Sequence, residues 1–274
     1  MHKKPSELFM SVTTWAAAAL TFSMLLFLVG FIFVKGVPHL KLSLFALDYN
    51  SENVSLMPAM ISTVIMTLLS LVIAVPFGVF AAIYLIEYAK RGNKNVTLVR
   101  VTTETLSGIP SIVYGLFGML FFVTFLGWGF SLLAGAFTLS IMILPLIMRS
   151  SEEALQSVPD AYREGAFGLG AGKLRTVFRI VLPAAMPGIL AGVILSIGRI
   201  VGETAALIYT AGTVAQIPEN PMQSVRTLSV HMYALSSEGL HTNEGYATAV
   251  MLLIVVVLTN IGSAKLARRI GGKS

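Results

Sequence analysis

The chain has 274 residues, of which 55% are hydrophobic and 12% charged, with a net charge of +6 and no cysteine. Soluble domains carry about 25% charged residues, so this composition excludes an ordinary soluble enzyme, a disordered chain and a nucleic-acid-binding protein. It also excludes a disulfide scaffold and a thiolate metal site, and it indicates an integral membrane protein whose four histidines form no metal motif.

Long intervals without charged residues predict the membrane-spanning helices. The longest interval runs for 44 residues, from 105 to 148, whereas one span needs only about 20 apolar residues. We therefore expect two spans there, joined by a turn at Gly127-Trp128-Gly129. Helices are predicted rather than strands because unpaired backbone groups are too costly in lipid. In chain order, the six predicted spans lie at about 12–34, 58–86, 108–126, 131–149, 183–210 and 246–266.

The first span has an alternative interpretation, because Lys3 and Lys4 precede it as basic residues precede a signal peptide. The apolar region of a signal peptide is usually about 7–15 residues long. The run 12–34 is longer, and its small residues Ala16–Ala19 lie at its start rather than at its end. We therefore expect a retained helix.

The basic residues predict the orientation of the spans. Fifteen of the 19 Lys and Arg residues fall on one side, together with both termini, whereas only Lys35, Lys41 and Arg226 fall on the other. Cytoplasmic loops are enriched in Lys and Arg, so both termini are expected in the cytoplasm. The fifteen are Lys3, Lys4, Lys90, Arg91, Lys94, Arg100, Arg149, Arg163, Lys173, Arg175, Arg179, Lys265, Arg268, Arg269 and Lys273. The predicted organisation is a cytoplasmic segment 1–11, one transmembrane domain 12–270 and a tail 271–274.

Small residues mark the third predicted span. Gly108, Gly115 and Gly118 are spaced as in helices that pack closely, and packing is favoured over contact with a substrate. Tyr114 lies among them and is interpreted as a core residue, with contact to a passing anion as the alternative. We expect this span to be closely packed against another helix.

The loop 150–182 between the fourth and fifth spans contains a predicted helix–turn–helix. Ser157-Val158-Pro159-Asp160 is typical of a helix start, and the glycines between 168 and 172 favour a helix end. A second short helix is predicted over Lys173–Leu182. The small residues Gly165 and Ala166 would let another protein approach the backbone, with Tyr162 and Phe167 as anchors, although the residues are also compatible with an ordinary solvated loop.

The fifth span contains two charged residues, Arg199 and Glu203. Their i, i+4 spacing predicts that both lie on one helical face. A charge at the bilayer centre costs about 2.5–3.5 kcal/mol on insertion scales, so neither should face lipid. One interpretation is an internal salt bridge. The other is an anion site, because the arginine fork matches tetrahedral oxyanions.

The segment 211–245 before the last span is expected to form a surface with a short helix at about 224–235. His231 and His241 in this segment are interpreted as ordinary loop residues rather than ligands.

A signature in the loop 150–182 resembles that of permease subunits of bacterial ABC importers, E-A-A-x3-G-x9-I-x-L-P. The matching residues are Glu164, Gly165, Ala166, Gly170, Ile180, Leu182 and Pro183. Gly165 departs from the signature but keeps the position small. The resemblance implies that this loop is the coupling helix, which seats in a groove of the ATPase and passes its motion to the membrane domain.

Two further motifs resemble those of the phosphate importer permeases. They are Gly-Arg-x-x-Gly-Glu-Thr-Ala at 198–205 and Gly-Ile-Pro-Ser-Ile-Val-Tyr-Gly-Leu-Phe-Gly at 108–118. The similarity covers essentially residues 8–270, and the short N-terminal region is more similar to one of the two permeases of that system. Because phosphate near neutral pH still carries a proton and sulfate does not, we hypothesise that Arg199 attracts the anion, while Glu203 orients Arg199 and can accept the phosphate proton.

The resemblance implies an all-α integral membrane protein of the ABC importer permease fold, with six spans and a cytoplasmic coupling helix. It implies a plasma membrane permease subunit for inorganic phosphate, working with a second homologous permease, a cytoplasmic ATPase dimer and an extracytoplasmic phosphate-binding protein. No Gly-rich phosphate loop with lysine occurs, so the chain is expected to be no enzyme and to hold no cofactor, with ATP and Mg²⁺ bound by the ATPase. The alternatives are a permease for molybdate or sulfate, a secondary transporter and a membrane-embedded enzyme.

Overall fold

The computed structural model describes residues 5–90 and 92–271, and every regular element in these residues is helical. Of the predicted features, Lys3, Lys4, Arg91 and Lys273 lie outside the described residues, as do 1–4 of the N-terminal segment and 272–274 of the tail. The helices in chain order are α1 (Pro5–Gly36), α2 (Met57–Ile83), α3 (Lys94–Ser107), α4 (Ser111–Gly118), α5 (Leu132–Gln156), α6 (Asp160–Gly168), α7 (Lys173–Thr176), α8 (Leu182–Gly202), α9 (Ala205–Ile208), α10 (Leu228–Glu238) and α11 (Thr242–Gly271).

Shorter helical turns extend or connect these helices. Short 3-10 turns at Val37–His39 and Leu42–Phe45 follow α1. Wider π-helical turns extend α2 over Tyr84–Tyr88, extend α4 over Met119–Phe125 and join α7 to α8 over Val177–Val181.

Helix α5 is the centre of the bundle, with α2 and α8 packed against it. Leu139, Ile143 and Ile147 of α5 are fully buried in the main core together with Met66 of α2. Helix α11 packs on α8, and α1 packs on α11 at the edge of the bundle. The apolar side chains of α1 are exposed along most of its length, which suits a helix that meets lipid.

The number of spans agrees with the sequence. Within residues 5–90 and 92–271, five helices are long and apolar enough to cross a membrane, and the pair α3 and α4 provides a sixth if it counts as one span. The predicted all-α membrane fold is therefore confirmed. The predicted turn at Gly127 to Gly129 is also present, with both glycines at positive φ.

The third span differs from its prediction at 108–126. An additional helix, α3, precedes it, and α3 is bent by 103° from the helix over Ser111–Phe125. Pro110 between them has no backbone N–H to donate and keeps Ile109 out of the helical conformation, which explains the corner. Helix α3 contains Lys94, Arg100 and Glu104, so spans predicted from uncharged intervals did not include it.

The bounds of the fourth and fifth spans also differ. Helix α5 continues past 149 to Gln156, and Ser157 closes its end by donating to Ala154 O at 2.8 Å instead of capping α6. The helix predicted over Lys173–Leu182 is continuous with α8 through the π turn. The predicted span 183–210 is wrong at its far end, because α8 stops at Gly202.

Candidate functional site

Helix α8 ends at Gly202, and the chain leaves the helix at Glu203, the second charged residue of the fifth span. Glu203 has φ −73° and ψ 128°, an extended conformation that ends α8. Its Oε1 accepts a hydrogen bond from Ala206 N at 3.1 Å, and its backbone O accepts one from Ser229 Oγ. Glu203 therefore supports the first turn of α9 and ties α10 to the break. Its φ is helical and its N–H still donates to Ile200 O at 3.1 Å, so only the residues after it leave the helix, and the shared face with Arg199 stays a prediction.

Arg199 lies in the last turn of α8, where a cation is favoured by the helix dipole. None of the ion pairs among the described side chains includes it, so the interpretation as a salt bridge with Glu203 is wrong. Arg199 borders a cleft of about 620 Å³ between α5, α8 and α11. The other residues of this cleft are Leu146, Ala191, Ile194, Leu195, Gly198 and Asn260. The walls are thus largely apolar.

The two glycine-containing motifs of the sequence meet in the structure. A Cβ added at Gly115 of α4 would lie 2.7 Å from Ala206 Cα of α9, and one at Gly118 would meet Thr138 and Thr210. The interpretation of these two glycines as packing residues is confirmed. Gly108 has no such neighbour and lies at the corner between α3 and α4 instead.

We expect Gly115→Val to reduce transport strongly, because the added side chain would push α9 and the adjoining break at Glu203 away from α4. Overpacking a close contact typically costs about 1–3 kcal/mol. Thermal unfolding of the purified protein in detergent, followed by uptake in proteoliposomes, measures both effects. Gly30→Val, in α1, where a Cβ meets nothing within 4 Å, is the control for added bulk. Equal melting temperatures for the two variants would contradict the packing role of Gly115.

Tyr114 is a core residue, as the sequence favoured. Its side chain is buried, and its hydroxyl donates to Leu106 O at 2.8 Å. This hydrogen bond spans the corner between α3 and α4, so Tyr114 holds the two helices at their angle.

The residues of the ABC importer signature divide between an exposed and an inner group. Glu164 and Gly165 of α6 are exposed, and a Cβ at Gly165 would meet nothing within 4 Å. Tyr162 and Phe167 are 54% and 47% exposed beside them. Ala166 faces the protein and is buried, and Gly170 ends the helix region at φ +81°. Of the later positions, Ile180 and Leu182 are half-buried and Pro183 is exposed.

Arg163 anchors α6 to the rest of the bundle, a role that the sequence analysis missed. Its Nη2 donates to Glu87 Oε1 at 2.8 Å and to Leu155 O at 2.9 Å, and its Nη1 donates to Val158 O at 2.8 Å. The side chains of Arg163 and Glu87 are only 15% and 8% exposed. The sequence does contain one signal for this pair: Glu87 is an acidic residue at the end of an apolar span, where a carboxylate needs a basic partner such as Arg163.

At the opposite end of the bundle, His231 of α10 is fully buried beside Tyr49 and Arg226. Burial and the nearby Arg226 charge lower the pKa of His231 from 6.5 to about 3. The imidazole is therefore neutral in the folded protein across the physiological range.

We expect stability to fall as the pH falls below about 6.5. The unfolded chain binds a proton at His231 in this range, whereas the folded chain does so only near pH 3, so this group contributes a loss of about 1.4 kcal/mol per pH unit. Melting temperatures of wild type and His231→Gln, measured between pH 7.5 and 5 in detergent, test this. The wild-type curve should be steeper, and parallel curves would refute the contribution of His231.

Residues 74–272 match the family model described as binding-protein-dependent transport system inner membrane component. The chain is 30% identical to probable ABC transporter permease protein YqgI of Bacillus subtilis (strain 168), over 96% of this chain and 95% of that protein. It is 36% identical to phosphate transport system permease protein PstA 1 of Mycobacterium tuberculosis (strain CDC 1551 / Oshkosh), over 75% and 68% of the two chains. A chain of a bacterial alginate ABC transporter crystallised with its alginate-bound periplasmic protein shares the fold, with a TM-score of 0.64, 17% identity and coverage of 94% and 95%.

Proposed function

The chain belongs to the family of binding-protein-dependent transport system inner membrane components, the permease subunits of ABC importers, and we propose that it is a PstA-type permease for inorganic phosphate. The observation that carries the proposal is Arg199, an unpaired guanidinium in the described bundle that borders an otherwise largely apolar cleft. Because arginine presents a fork of donors that matches tetrahedral oxyanions, such a cleft suits phosphate. The identity with a named phosphate permease over 75% of the chain supports the same substrate.

The position of Arg199 also fits a pathway rather than a structural ion pair. An intramembrane cation without a protein partner is costly, so it is kept where water or an anion can reach it. In the complete importer, a second, PstC-type permease would complete the pathway beside this cleft. Glu203 supports the pathway by fixing α9 and α10 at the break and is in none of the ion pairs found among the described residues.

The exposed face of α6 is the proposed coupling surface for a PstB-type ATPase dimer, which binds the ATP and Mg²⁺. The chain's own packing does not require a glycine at 165, because a Cβ there would meet nothing. The missing side chain at Gly165 lets a partner approach the backbone of α6, and the exposed rings of Tyr162 and Phe167 beside it offer apolar contacts to that partner. Residues Glu164, Gly165 and Ala166 would lie at that contact. Gly170, Ile180, Leu182 and Pro183 shape the turn and the return to α8.

The orientation follows from this assignment. The end of the bundle with α6 would face the cytoplasm together with both termini, in the plasma membrane lipid. The end with α10 would face a PstS-type phosphate-binding protein. The fifteen basic residues that the sequence assigns to the cytoplasmic side support this orientation.

The test is uptake of labelled phosphate by the reconstituted complex of two permeases and the ATPase in proteoliposomes, with the binding protein added. We expect accumulation only with ATP, inhibited by unlabelled arsenate and not by sulfate or molybdate. Accumulation of sulfate or molybdate in place of phosphate would identify another oxyanion permease. Transport by the chain alone without ATP would identify a secondary transporter.

A further inference from the structure

Asn260 of α11 borders the same cleft as Arg199, across from the side chains of α8. Its amide takes part in none of the side-chain hydrogen bonds found among the described residues, whereas the adjacent Thr259 hydroxyl donates to Val255 O at 2.8 Å and to Val256 O. A polar side chain without a partner in a membrane helix is costly, and such residues usually mark a pathway or a helix contact. Asn260 is exposed in the isolated chain, so its amide can bind a partner from outside the chain.

The cleft contains two polar side chains, and they have different hydrogen-bonding capacities. Arg199 offers donors only, so it binds any oxyanion with similar geometry. Asn260 offers both an NH₂ donor and a carbonyl acceptor. The remaining side chains of the cleft are aliphatic or glycine and offer neither.

This difference matters because phosphate near neutral pH retains at least one O–H group, while sulfate has only acceptor oxygens. A donor-only site cannot distinguish the two anions. An acceptor directed at the anion is satisfied by the phosphate O–H and is left unpaired or repelled by sulfate. Sites that hydrogen-bond a ligand group reject analogues that lack it far more strongly than apolar pockets do.

We propose that Asn260 is a specificity-determining residue of the pathway, whose carbonyl accepts the O–H of hydrogenphosphate while Arg199 binds the ionised oxygens. The inference rests on the proposed function of the cleft. In this inference the phosphate keeps its proton and donates a hydrogen bond to Asn260, and no proton passes to Glu203, whose Oε1 is bonded to Ala206 N and which is not among the residues of the cleft. The amide of Asn260 is neutral, so it leaves the charge of Arg199 available to the anion, whereas a carboxylate at position 260 would neutralise that charge.

The test compares wild type with Asn260→Leu and Asn260→Asp in the reconstituted, binding-protein-dependent complex. For Asn260→Leu we expect a rise in the phosphate KM on the order of 10-fold, from the loss of one hydrogen bond to the anion, and the appearance of competition by sulfate. For Asn260→Asp we expect a larger loss of phosphate uptake, because the new carboxylate neutralises Arg199 and repels the dianion. Thr259→Val is the matched control, since its hydroxyl bonds only its own helix and borders a different cleft.

The outcomes separate this inference from the proposed function. If wild type takes up phosphate while Asn260→Leu keeps the wild-type KM and exclusion of sulfate, the inference is wrong and the proposed function stands. If Asn260→Leu and Asn260→Asp fail to co-purify with the second permease, Asn260 is a helix contact and the inference is equally wrong. If wild type itself takes up no phosphate, the proposed function has failed.

Discussion

Replacing Arg199 by glutamine is expected to reduce ATP-dependent phosphate uptake on the order of 100-fold. The reason is the loss of the only cation that borders the cleft in the described structure. A hydrogen bond to a charged group contributes about 1.5–3 kcal/mol, and the low dielectric of a membrane protein interior strengthens the attraction further. The uptake of Arg199→Lys should lie between that of wild type and that of Arg199→Gln, because lysine keeps the charge and loses the two-pronged geometry. Labelled phosphate uptake at matched expression measures the effect.

The glutamine variant should still fold and assemble. Arg199 has no ion-pair partner in the described chain, so its removal leaves no buried carboxylate uncompensated. Co-purification of the ATPase and the second permease checks this. Glu203→Gln is the comparison variant, since a glutamine oxygen can still accept the Ala206 N–H bond. We expect it to retain most of its uptake. Normal uptake by Arg199→Gln would remove Arg199 from the pathway.

Replacing Arg163 by methionine is expected to lower stability and to uncouple ATP hydrolysis from transport. The substitution leaves Glu87 nearly buried without its cation, and breaking a buried ion pair in this way typically costs about 3–5 kcal/mol. Leu155 O and Val158 O lose their donors as well. Helix α6 would then be held loosely, so ATPase activity should no longer be matched by uptake. Thermal unfolding and the ratio of phosphate transported to ATP hydrolysed measure the two effects.

The double variant Glu87→Gln/Arg163→Met separates the charge from the anchoring role. Removing both charges should recover part of the melting temperature, because no carboxylate is left unpaired. It should not restore coupling, because the bonds to Leu155 O and Val158 O are still missing. Arg175→Met, at an exposed arginine of α7, is the control for loss of a basic residue near the coupling surface. A wild-type melting temperature for Arg163→Met would contradict the anchor.

The helix break at Glu203 shows why one part of the site escaped prediction. The sequence around Gly202-Glu203-Thr204 contains no proline, and its spacing is fully compatible with a continuous helix. The break is stabilised by bonds from Ala206 N and Ser229 Oγ, and the serine lies 26 residues along the chain. The close contact of Gly115 with Ala206 depends on the same long-range packing. The small residues in 108–118 and 198–205 predicted close helix contacts. They did not predict that these two segments would contact each other.

The sequence by itself determined the class of the protein, the approximate spans and the residues of the signature, because the exclusion of charge from lipid and the length of a span are local, additive constraints. The tertiary structure alone decided that Arg199 and Glu203 are not a pair, that Arg163 and Glu87 are one, and that Asn260 borders the cleft of Arg199. These relations join residues on different helices or across a break, and their energies depend on burial and direction, which spacing along one helix does not specify.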